Sequence, residues 1–120
     1  MNSTALIYVF IGGGIGAMLR YASTHWFMNL SFLGGKVHWA TLLVNLFASI
    51  TLVLVYRWTE GKPMLMLLLA TGLCGGWSTF STFSYETVLL LQSGKWGEAL
   101  AYVLGSTLLS VGAVWILAAK

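Results

Sequence analysis

Charge is what this chain has least of. Only six of its 120 residues are Lys or Arg and only three are Asp or Glu, so charged side chains make up 8% of it, where soluble globular chains carry about a quarter. An ordinary soluble domain is thereby excluded. A formal charge of +3, spread along the chain, is too small to suggest a nucleic-acid partner. A single cysteine, Cys74, leaves nothing for a disulfide within the chain. No metal-ligand cluster and no nucleophile–base pair is visible, and an enzyme is not expected. The N-terminus also lacks the basic stretch that opens a secretory signal, so the first apolar run is expected to be retained.

What the chain has instead is hydrocarbon, 58% of its residues being hydrophobic. Four apolar runs can be marked, at about 5–27, 39–58, 63–91 and 98–119, each reaching the roughly 20 residues that cross a bilayer core as a helix. They leave no room for a soluble domain. The expected fold is therefore an all-α integral membrane protein, one domain over residues 1–120 with four transmembrane helices in the lipid bilayer. Trp26, Trp39, Trp58 and Trp96 fall near span ends, where indole rings anchor at the headgroup boundary.

Lys and Arg in short loops normally set orientation. Here Arg57, Lys62 and Lys120 fall on one side, and Arg20, Lys36 and Lys95 on the other. Three against three gives no bias. A chain without a preferred orientation can insert both ways, and the assembly this suggests is an antiparallel homodimer with its two-fold axis in the membrane plane. Alternatively, one side wins by a margin that six charges do not resolve.

The first span carries Gly12, Gly13, Gly16 and Ala17, paired four apart, so one helix face is nearly bare and another helix can approach closely. A phosphate-cradling reading of these glycines fails, because no strand precedes them and the segment is apolar. Arg20 must snorkel, pair or line a wet cavity. It is structural or interfacial, or it raises the anion concentration at a wet vestibule.

In the second span Thr41, Asn45 and Ser49 form one stripe, and in the fourth Tyr102, Ser106 and Ser110 form another, with Thr107 beside them. A buried Asn must face protein or water, and an interhelical hydrogen bond would satisfy it. The third run, 29 residues long, would make a straight helix of about 43 Å, too long for the hydrocarbon. Gly75 and Gly76 followed by Ser78, Thr79, Ser81 and Thr82 favour a break near its middle, since glycine allows unusual dihedrals and hydroxyls satisfy freed backbone groups. In an antiparallel dimer the break occurs twice, and its carbonyls could enclose a small cation such as sodium. Phe80 and Phe83, three apart, share a face if the helix resumes there. Rings presented edge-on can contact an anion without trapping it; the alternative is that both simply pack.

Three motifs run in order along the chain: Gly12-Gly13-x-x-Gly16-Ala17-x-x-Arg20-Tyr21, Thr41-Leu42-x-Val44-Asn45, and Gly72-x-x-Gly75-Gly76-x-Ser78-Thr79-Phe80-Ser81-Thr82-Phe83. In order and spacing they resemble the Fluc (CrcB) fluoride-channel family, over essentially the whole chain. The resemblance implies a dual-topology homodimer in the bacterial cytoplasmic (inner) membrane, with two separate anion pores, a central structural sodium ion, and passive export of fluoride. By similarity, Phe80 and Phe83 are the pore aromatics and Asn45 supplies an amide that donates to fluoride. Ser81, Thr82, Ser106 and Ser110 form the hydroxyl track with Thr41 nearby. Gly75 and Ser78 are the sodium ligands through their backbone carbonyls, and Arg20 matches the arginine of the first motif. Two positions depart from the family's usual residues, Ser78 for threonine and Ala40 for glycine. A backbone ligand survives the first, and the second adds a methyl group that can shift packing.

The competing expectation is a small dual-topology, proton-coupled multidrug transporter. Such a mechanism needs a carboxylate deep in the membrane, and Glu86 is the only acidic residue well inside a span. A structural subunit without transport activity would explain the packing glycines. It would not explain two hydroxyl stripes facing one interrupted helix.

Overall fold

The structure, a computed structural model, describes residues 2–119; Lys120, counted above among the charges, lies outside the described residues. Four apolar helical runs, Ser3–Met28, Val37–Trp58, Pro63–Gln92 and Trp96–Ala118, are each long enough to cross a membrane. The first is α1 and the second α2. The third comprises α3 (Pro63–Met66), a π-helical stretch (Leu67–Cys74), α4 (Gly75–Trp77) and α5 (Phe80–Gln92). The fourth is α6 (Trp96–Ala118). The first connection contains a short 3₁₀ turn, Ser31–Leu33. Among the described residues every connection is short, so consecutive runs alternate in direction.

Local chemistry explains the ends. The Asn2 side chain accepts the Ala5 N–H at 2.7 Å and caps α1, Pro63 opens α3 where its missing N–H costs nothing, and Gly94 at φ 76° turns the chain between α5 and α6. At the far end of the bundle Arg57 donates to the Leu117 carbonyl. That contact ties the last turn of α2 to the last turn of α6, where a cation complements the helix dipole.

The bare glycine face of α1 packs as its spacing predicts, and its partner is the third run. A methyl group at Gly12 would overlap the Leu68 carbonyl, and one at Gly16 the Leu73 carbonyl. On the opposing strip, a Cβ at Gly72 would stand 2.8 Å from the Gly12 Cα, and one at Gly76 would stand 2.5 Å from the Gly13 carbonyl oxygen. Backbone therefore meets backbone, as small residues four apart allow. Trp77 adds a hydrogen bond from its indole N–H to the Ser23 hydroxyl of α1, 3.0 Å.

Sequence reasoning gives Gly75 and Gly76 a hinge role, and here the structure differs. Gly75 is helical at φ −63°, ψ −37°, and Gly76 serves the close approach to α1. The chain leaves helical geometry two residues later, at Ser78 (φ −80°, ψ 158°) and Thr79 (φ −152°, ψ 123°). Both are extended conformations open to any residue. The preceding turns are widened, the Gly75 N–H reaching the Ala70 carbonyl five residues back, a distortion common beside functional sites.

The interior is thin. One apolar cluster joins Leu42, Leu90, Ala99 and Tyr102, and a second joins Phe27, Ala40 and Val44. Ala40 is fully buried in that second cluster. Large apolar side chains such as Phe10, Met18, Leu108 and Trp115 lie outside, as a helix bundle solvated by lipid requires.

Candidate functional site

The site is organised by the two extended residues between α4 and α5. An extended residue cannot use the helical ladder, so its peptide N–H and C=O need other partners. Asn45, reaching across from the middle of α2, supplies both for Thr79. Its Oδ1 accepts the Thr79 N–H at 2.8 Å, and its Nδ2 donates to the Thr79 carbonyl at 3.1 Å. The interhelical bond open to Asn45 in the sequence is thus made, and the amide assigned by resemblance to an anion has one hydrogen already committed to the protein.

Thr79 then starts α5. Its Oγ1 accepts the Thr82 N–H at 3.2 Å and stands 3.1 Å from the Ser81 hydroxyl and 3.3 Å from that of Thr82. This is a helix N-cap. It aims the positive end of a 13-residue helix at whatever lies beside Thr79.

Two polar recesses lie there, and Thr79 lines both. The first, about 240 Å³, brings together Asn45, Phe80, Phe83, Ser106 and Ser110 from the sequence-derived set, with Ser49, Ser78 and Thr107 beside them. The Phe80 and Phe83 ring centroids are 5.6 Å apart, inclined at 36°, and Phe80 is 79% exposed, so this wall of the recess lacks a cover. Ser106 and Ser110, one helical turn apart on α6, have buried hydroxyl oxygens with no hydrogen-bond partner among the described residues. Leaving a buried hydroxyl unpaired costs about 1–3 kcal/mol, an expense that an incoming acceptor would remove.

The second recess, about 280 Å³, holds Arg20, Thr41 and Thr82, with Tyr21, Thr24 and His25. The hydroxyl track expected as one set is therefore divided by the Thr79 backbone, and Ser81 lines neither recess. Thr41 is also drawn elsewhere. Its hydroxyl stands 3.1 Å from Glu86 Oε2 and 3.2 Å from the Val37 carbonyl, and it can donate to only one at a time. The Tyr102 hydroxyl donates to Glu86 Oε1 at 2.9 Å, so Tyr102 leaves the α6 stripe for the core. Glu86 lines neither recess.

Gly75 and Ser78 line a third, smaller recess of about 160 Å³ with Ser49, Tyr56 and Thr71. Among the described residues nothing donates to the carbonyl of either one. Two free carbonyl oxygens are hard donors that suit an alkali or alkaline-earth cation. Softer ligation would need side chains that do not converge, since among the described residues no three of His, Cys, Asp and Glu gather.

Sequence reasoning gave Thr79 no role in the site. A Thr immediately before an apolar helical run is an N-cap signal, but nothing in the sequence reveals that Asn45 would clamp its peptide. The family model described as "CrcB-like protein, Camphor Resistance (CrcB)" matches residues 7–117. A protein of Leptospira interrogans named "Fluoride-specific ion channel FluC" is 38% identical over 123 residues, covering 96% of this chain and 95% of its own. One of the same name from Hahella chejuensis is 41% identical over 118 residues, covering 95% and 91%. "Fluoride-specific ion channel FluC 1" of Yersinia pestis is 43% identical over 112 residues, covering 88% and 81%.

Proposed function

The chain belongs to the CrcB family, and on that footing we propose that it is a fluoride-selective ion channel that exports cytoplasmic fluoride by passive electrodiffusion. The observation that carries this reading is the pair of unpartnered, buried hydroxyls of Ser106 and Ser110 beside Phe80 and Phe83. Fluoride is small and strongly hydrated. A pore for it must replace water with donors, and hydroxyl groups do so without the deep electrostatic well of a buried lysine. The free Asn45 amide hydrogen and the N-terminus of α5 add to the same side of the ledger.

Arg20 belongs at the entrance in this scheme. It sits with Thr41 and Thr82 in the second recess, where a cation concentrates anions that then pass to the neutral recess across Thr79. Phe80 and Phe83 offer ring edges along the way. Ser81 acts through Thr79, whose hydroxyl it approaches.

The open wall at Phe80 supports an assembly in which a second copy closes each recess. An antiparallel homodimer would hold two such pores, one on each side of its axis. It would also bring two Gly75–Ser78 pairs together, giving four carbonyl oxygens for a structural sodium ion at the centre. The interruption at Ser78–Thr79 is the feature of the third run that makes both sites possible. The membrane is the bacterial cytoplasmic membrane. Conduction of this kind involves no catalysis, so the protein is not an enzyme in this reading. A proton-coupled transporter built on Glu86 has weaker support, because its carboxylate oxygens face the Tyr102 and Thr41 hydroxyls and neither polar recess reaches them.

Efflux from proteoliposomes under a potassium–valinomycin shunt tests the proposal. Rapid fluoride loss with little chloride loss is expected. No fluoride loss from verified dimers would overturn it.

A further inference from the structure

Away from the recesses, one buried group has no part in the pore as described. His38, in the first turn of α2, is 6% exposed, and its Nε2 lies 2.9 Å from Oε2 of Glu98 in the first turn of α6. The other carboxylate oxygen is 3.0 Å from Lys36 Nζ. At this separation the contact is an ion pair only when the imidazole is protonated, and the charge on imidazole depends on pH.

The His38 ring also packs against the core. Its centroid is 5.2 Å from that of Tyr102, at 73°, while Phe83 meets the same Tyr102 ring at 5.1 Å. Trp39 lies edge-on to Tyr102 at 6.0 Å, and the Tyr102 hydroxyl is held by Glu86. Tyr102 is fully buried. It is fixed at its hydroxyl end and enclosed by three rings, so a change in how firmly His38 is held passes to Phe83 through one shared neighbour.

We propose that His38 is a positioning residue for Phe83, acting through Tyr102, and that protonation of His38 by tightening its contact with Glu98 makes the pore respond to pH. The proposal rests on the channel reading for its functional half. The charged and titratable groups facing His38 are Lys36 before α2, Lys95 before α6, Glu98 and Tyr102 on α6, with Glu86 of α5 behind Tyr102. Burial opposes a charge on His38 most, Glu98 favours it, and Lys36 and Lys95 oppose it.

Fluorine NMR of the dimer carrying fluorophenylalanine at position 83 tests the coupling without relying on conduction. The Phe83 resonance is expected to shift in the wild type as acid protonates His38 and to stay still in His38→Gln. Glu98→Gln, which keeps the imidazole, should lose most of the titration. Fluoride current in planar bilayers should fall about twofold as rising pH carries the protein through that same transition, the scale of a partly exposed ion pair, and be flat in His38→Gln. A wild-type resonance that does not move, or a His38→Gln resonance that moves as the wild type does, overturns the proposal. A titrating resonance in a protein that passes no fluoride would overturn the channel reading and leave the His38–Phe83 coupling standing.

Discussion

Asn45 and Thr79 are joined by two hydrogen bonds, 2.8 and 3.1 Å, between a side-chain amide and a peptide group. The pair repeats the pairing of two adjacent strands with one partner supplied by a side chain. Everything that surrounds the site depends on it, because Thr79 lines both polar recesses and caps α5.

Asn45→Ala should therefore damage both stability and transport. It strands two peptide groups, each costing about 1–3 kcal/mol, and Asn45→Asp, which keeps the acceptor, should be the milder variant in thermal unfolding. In fluoride efflux the order should reverse, since a carboxylate beside the first recess repels the anion. Equal flux in Asp and wild type would remove Asn45 from the conduction path.

Ser106→Ala and Ser110→Ala test whether the unpartnered hydroxyls serve an ion or only pack. Removing a buried group with no partner should leave thermal stability unchanged or slightly raised. Fluoride flux should fall by roughly tenfold for each, the rate equivalent of about 1.4 kcal/mol. Variants that lose stability and keep flux would show hydroxyls that bind the protein instead.

Phe80→Ile and Phe83→Ile separate the rings by location. Phe80 is exposed at the open wall while Phe83 leans on Tyr102, so only Phe83→Ile should lower the melting temperature. Both should abolish fluoride conduction while the size-exclusion elution volume stays that of the wild type. Retained conduction in both would return the rings to packing.

Gly16→Ala and Gly14→Ala form a matched pair on α1. A methyl group at Gly16 meets the Leu73 carbonyl, whereas one at Gly14 meets nothing within 4 Å. The first should cost about 1–3 kcal/mol through overpacking, and the second should stabilise by about 0.5–1 kcal/mol through helix propensity. Unfolding followed by tryptophan fluorescence would distinguish them.

Glu86→Gln retains an oxygen acceptor for the Tyr102 hydroxyl, and Glu86→Ala does not. Because Tyr102 is fully buried, the alanine variant alone should lose about 1–3 kcal/mol. Fluoride flux in Glu86→Gln should persist without a proton gradient. A flux that vanishes with the carboxylate and follows the proton gradient would favour coupled transport.

What could be read from the sequence is what repeats along it or follows from composition. Hydrocarbon must be crossed by satisfied backbone, so runs of about twenty apolar residues define the four helices from sequence alone, and glycines four apart mark the face where α1 packs. The stripe residues Asn45, Ser106 and Ser110 were also legible, since helical periodicity places them on one face. Their convergence with Phe80 and Phe83 followed only from the packing of α2, α5 and α6.

Tertiary structure decided the rest, because those relationships join residues with no fixed spacing. Gly75 and Gly76 looked like a hinge, yet the chain leaves the helix at Ser78 and Thr79. Glycine at that spacing serves both hinge and close contact, and only the neighbouring helix distinguishes the two. The division of the hydroxyls between two recesses, the withdrawal of Tyr102 to Glu86 and the contact of His38 with Glu98 were likewise invisible. Each depends on side chains from different helices meeting at about 3 Å, a distance that composition and periodicity along one chain do not encode.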